Sequence, residues 1–128
     1  MLIQFYIKHS NNILVHQNTI KLADFGLSRK LDELSNSNNI FGIVPYIDPQ
    51  YFKDQKANKK SDVYSVGVLL WEISSGKKPF DLCDSYPVVI LSKILDGKRE
   101  TPVPGTPIDY VNIYTSMNLI ISCYFSSL

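Results

Sequence analysis

A chain of 128 residues is one domain or a piece of one, long enough to bury roughly 68–70% of the surface it exposes when unfolded. With 45% hydrophobic residues, 20% charged residues and a net charge of +1, it lacks the basic surplus that binds nucleic acid or an anionic membrane. Its two cysteines, Cys83 and Cys123, stand far apart with no CxxC spacing, which excludes a disulfide framework and a cysteine zinc site and fits a reducing compartment.

The opening "MLIQFYIKHS" has too short an apolar stretch for a secretory signal, and no basic run precedes it. Ile13–His16 and Thr19–Leu22 are β-rich runs on either side of Gln17-Asn18, the spacing of a two-residue hairpin. Asp24-Phe25-Gly26 follows, and then a polar stretch, "DELSNSNN" at 32–39, that buries almost nothing. Residues 61–76, "SDVYSVGVLLWEISSG", carry the strongest helix signal. Ser61 is placed to cap the first turn, Asp62 suits its positive end, and Gly76 with Pro79 stops it. Val63, Val66, Leu70 and Ile73 recur at helical spacing, while Tyr64, Val68, Leu69 and Trp71 fill the other faces. Apolar all round, such a helix belongs at the centre of a domain.

A second helix is expected from Pro87 to Leu95, closed by Gly97. A third is expected to start with Thr106 as cap, Pro107 in the first helical position and Asp109 in the first turn. Between them "TPVPGTP" reads as an extended, rigid connector. The tail "NLIISCYFSSL" is far short of the ~20 apolar residues that span a bilayer, so the expectation is a soluble, cytoplasmic protein. The element order, a hairpin, a long loop and then helices, makes the fold class α+β, mostly α.

In order along the chain, "HSNNILV", "KLADFGLSR", "SDVYSVGVLLWE" and "GKKPF" resemble the C-terminal lobe of a eukaryotic protein kinase, over residues 8–117. The resemblance implies a kinase-like C-lobe with a small β-hairpin, an activation loop and a buried central helix. It also implies a family activity, transfer of the γ-phosphoryl of ATP to Ser/Thr or Tyr hydroxyls of proteins, with ATP and Mg²⁺ as cofactors. Asn12 resembles the catalytic-loop Asn and Asp24 the metal-binding Asp; both offer the hard oxygen atoms magnesium prefers.

Asp24, Phe25 and Gly26 would open an activation loop running to residue 50. Within it Ser28, Ser35 and Ser37 are candidate phosphosites or plain solvated serines. Residues 42–50, "GIVPYIDPQ", stand where the family has its substrate-positioning segment ending in Ala-Pro-Glu, with Gly42, Pro45, Tyr46 and Pro49 as its carriers. Asp48 takes the place of the Ala and Gln50 that of the Glu. Asp62 resembles the acid that anchors the catalytic loop through its backbone amides. The His-Ser-Asn-Asn stretch resembles the tyrosine-kinase-like branch of Ser/Thr kinases, whereas Ile43 replaces the Thr usual in Ser/Thr kinases.

The pattern breaks at its most reactive point. Five positions before Asn12, where the family carries its catalytic Asp, stands Ile7, which can neither accept a proton nor orient a hydroxyl. A lost general base costs roughly 10²–10⁴-fold in rate. No GxGxxG occurs in the 128 residues, and nothing before the hairpin matches the phosphate-pairing Lys. Residues 1–7 and 118–128 fall outside the resemblance, as expected of a kinase domain truncated at both ends. The expected function is therefore a kinase fragment, inactive as this chain alone, with a protein substrate or regulatory protein as partner and neither nucleic acid nor membrane. The alternative is a pseudokinase-like module that binds proteins without catalysis.

Overall fold

The computed structural model describes residues 13–22, 44–54, 59–80 and 86–119. Strands β1 (Ile13–His16) and β2 (Thr19–Leu22) pair antiparallel, with Ile13 opposite Leu22 and His16 opposite Thr19. Gln17 and Asn18 take φ of 50° and 57°, the left-handed pair that a tight hairpin turn requires. The expected two-residue hairpin is thus present without any glycine.

The remaining described elements are helical. A 3₁₀ turn over Val44–Tyr46 leads into α1 (Pro49–Asp54), then α2 (Lys59–Ser75), α3 (Pro87–Leu95) and α4 (Ile108–Leu119). The 3₁₀ turn forms inside the segment expected as loop, and α1 is a helix that the sequence pattern does not signal. Asp48 and Pro49 explain α1. The Asp48 carboxylate accepts the Gln50 amide at 2.8 Å, a side-chain cap, and proline suits the first helical position because its missing N–H would have no partner there.

Helix α2 begins two residues before the expected start, so Ser61 lies inside it and does not cap it. The Ser61 hydroxyl donates instead to Asp48 Oδ2 at 2.9 Å. Asp62 does fall in the first turn. The far end closes as expected at Gly76, whose amide donates to the Glu72 carbonyl at 2.9 Å.

The core forms around α2. Tyr64, Val68 and Leu69 cluster with Tyr46, while Ile90 and Ile94 of α3 pack with Val44, flanked by Phe80 and Leu91. One face of α2 departs from the all-round burial its composition implied: Ile73 is 58% exposed. Buried Trp71 donates its indole N–H to the Thr101 carbonyl at 2.9 Å and so ties the segment after α3 to α2.

Gly97 closes α3. With φ of +85° it lets its amide reach the Ile94 carbonyl and the Lys98 amide reach that of Lys93, which satisfies two end carbonyls. The connector then bends where straight extension was expected. Thr106 donates its amide to Val103 across Pro104-Gly105, with Gly105 at φ +87°, the backbone of a type II turn. Helix α4 starts at Ile108, with the Pro107 carbonyl accepting the Val111 amide, so Pro107 sits one position ahead of its expected place.

Helices α2 and α4 pack face to face, and Gly67 is the point of closest approach. A Cβ built there would stand 2.5 Å from Asn118 Oδ1 and 3.0 Å from Met117 Cβ. The Asn118 tip can turn away, but the Met117 Cβ is fixed by its own backbone, so α4 itself must shift. Overpacking of this kind costs about 1–3 kcal/mol, against about 1 kcal/mol that alanine gains over glycine in a helix. Gly67→Ala should therefore gain nothing and lose up to about 2 kcal/mol in urea unfolding. A stabilised Gly67→Ala protein would show that the two helices do not meet there.

Candidate functional site

The segment read from sequence as the substrate-positioning stretch is buried and anchored by side chains of α2. Val44, Pro45, Tyr46, Ile47, Asp48 and Pro49 are all buried. Three side-chain bonds hold it against α2. The Tyr46 hydroxyl donates to Glu72 Oε2 at 2.6 Å, Ser65 Oγ donates to the Tyr46 carbonyl at 2.7 Å, and Ser61 Oγ donates to Asp48. Ser61, Ser65 and Glu72 sit four and seven residues apart, a spacing that brings side chains to one helix face. Both Asp48 oxygens are engaged, which is what lets a carboxylate only 2% exposed stay buried.

Glu72 is shared. Its other oxygen pairs with Lys78 Nζ at 3.0 Å, and Lys78 is 57% exposed. An ion pair open to water at one end contributes little stability, about 1 kcal/mol at most. The short bond to Tyr46, charge-assisted and largely screened from water, is the stronger of the two. Sequence reasoning did not single out Glu72, Ser65 or Asp48 as anchors. The signals were nevertheless present: a lone carboxylate ending the apolar run "VGVLLWE", and Asp directly before Pro.

Beneath the segment lies Tyr64, fully buried, with a hydroxyl that finds no hydrogen-bond partner among the described residues. The Arg99 guanidinium sits 5.5 Å from the centre of its ring, and Arg99 Nη1 donates to the Ile94 and Lys98 carbonyls at 3.0 and 2.8 Å. Burial pushes the Tyr64 phenol up from 10 to about 12, with Arg99 pulling it down and Asp48 pushing it further up. Burial also raises Tyr110, with Tyr114 adding to the effect, and burial raises Tyr114.

A phenol held protonated above its ordinary value contributes stability that is fully present below about pH 10. That stability is lost as the pH climbs from about 10 to about 12, because only the unfolded chain then ionises. The urea midpoint should fall over this range, and Tyr64→Phe should make the fall shallower. At pH 7 the same substitution should leave stability unchanged or raise it by up to about 1–3 kcal/mol, since the hydroxyl it removes is buried without a partner among the described residues. An unchanged pH slope in Tyr64→Phe would contradict this.

Of the residues singled out from sequence, Pro45, Tyr46 and Pro49 are buried in one short segment that Tyr46 ties to α2, and Asp62 is half-buried in the first turn of that helix. Ile7, Asn12, Asp24, Phe25, Gly26, Ser28, Ser35, Ser37 and Gly42 lie outside the described residues. Among the described residues no group of three or more His, Cys, Asp or Glu side chains could hold a metal ion, and no helix is long and apolar enough to cross a membrane.

Comparison with known proteins identifies the family of the chain. A family model described as protein tyrosine and serine/threonine kinase matches residues 9–121. The chain is 32% identical over 100 residues to mitogen-activated protein kinase kinase kinase 13-B of Xenopus laevis, covering 78% of this chain and 10% of that protein. It is 38% identical over 106 residues to wall-associated receptor kinase-like 20 of Arabidopsis thaliana, covering 74% of this chain and 16% of that one. A probable LRR receptor-like serine/threonine-protein kinase of the same plant is 45% identical over 83 residues, covering 63% of this chain and 9% of its own. The chain thus spans about a tenth to a sixth of the length of these curated relatives. With a match over 9–121, which contains both the hairpin and the anchored 44–49 segment, the chain belongs to the protein tyrosine and serine/threonine kinase family.

Proposed function

We propose that this chain is the peptide-platform part of a protein kinase's C-terminal lobe and does not transfer phosphate as the 128-residue chain alone. The observation that carries the proposal is the anchoring of residues 44–49 to α2 through Tyr46–Glu72, Ser65–Tyr46 and Ser61–Asp48. A surface that must hold a protein substrate's hydroxyl in register needs a rigid support, since small misplacements cost large factors in rate. Here three side chains of one helix provide it.

Residues 24–50 form the activation loop in this proposal, and Asn12 and Asp24 are the pair that would hold magnesium. Their carboxamide and carboxylate oxygens are hard donors suited to that ion. Bound ATP and Mg²⁺ would supply the phosphoryl group and neutralise its charge. What the chain's own residues supply is position: buried Tyr46 and Pro49 fix the backbone of the peptide-positioning segment from within, and Asp62 steadies the loop that carries Asn12. The proton acceptor is missing, because Ile7 occupies its position.

A transplant tests both halves. Residues 44–75 placed into a catalytically active member of the family should leave kcat/KM within about tenfold of the host, because the platform travels as a unit. Adding residues 5–12 should then lower kcat by roughly 10²–10⁴-fold. A folded transplant of 44–75 that loses about 10³-fold or more would contradict the platform assignment, and full activity with Ile7 in place would contradict its role as a broken base.

A further inference from the structure

We draw no further inference here: the strongest candidate, the apolar groove between the last turn of α2 and the 101–107 connector, lined by Ile73, Val103, Pro104, Pro107 and Tyr110, carries nothing because nothing in the structure shows what covers it.

Discussion

Trp71→Ala should lower the stability of the chain by about 3–5 kcal/mol, measured as a shift of the urea transition at constant slope. Trp71 is 5% exposed and reaches across to the Thr101 carbonyl. Its removal would empty the largest side-chain volume on α2 and leave that carbonyl without its indole donor. A loss of that size is at least about a fifth of the 5–15 kcal/mol that holds a typical domain together. Two residues further along the same helix, Ile73→Ala should change stability by no more than about 0.5 kcal/mol, because Ile73 is already largely in water. The contrast is the informative part. Equal losses at both positions would mean that α2 is covered on every side, as its composition alone implies, and that the exposed face is wrong.

That comparison also shows where the sequence was legible. The hairpin could be read from two β-rich runs around Gln17-Asn18, because a two-residue turn fixes its own geometry locally. The span of α3 and the end of α2 could be read too, from a proline at the start or a glycine at the stop. Local chemistry is enough for such features.

The orientation of α2 could not be read. A helix with apolar residues on every face has no periodic signal to say which face turns outward, so Ile73 looked the same as Val63 or Val66. Its start was misplaced for a related reason. Ser61 and Asp62 match a capping pattern, but Asp48, thirteen residues upstream, takes the Ser61 hydroxyl and the helix extends back past it. The bend in the 101–107 connector is written in Pro104-Gly105, but the three prolines of that segment favour extension as well and mask the turn signal.

For the candidate site, motif spacing singles out the 42–50 segment, of which 44–50 are described, but says nothing of what holds it. Glu72, Ser65 and Asp48 become anchors only once α2 is laid against residues 44–49, a contact between stretches up to 26 positions apart. Spacing rules that work within one helix or one turn do not reach that far.

The second large effect concerns chemistry. A kinase of this family typically turns over at about 1–100 s⁻¹, and the transferred phosphoryl group needs positioned charge on one side and a positioned, proton-accepting partner for the attacking hydroxyl on the other. On the proposed reading Ile7 takes the acceptor's position in the sequence, and its side chain is hydrocarbon only. Loss of the acceptor alone lowers the rate by roughly 10²–10⁴-fold. The 128 residues also contain no GxGxxG to cover the phosphates, which removes much of the positioning that would otherwise hold ATP in line. These losses fall on one transition state and reinforce each other. The measurement is transfer of the γ-phosphoryl of ATP to a generic protein substrate by the purified chain with magnesium, set beside an Asp24→Ala variant. The expected result is no transfer above the protein-free background, with the two proteins indistinguishable. Turnover by the wild-type chain that disappears in Asp24→Ala would show a working metal site and a working base, and would contradict the assignment of this chain as a platform without catalysis.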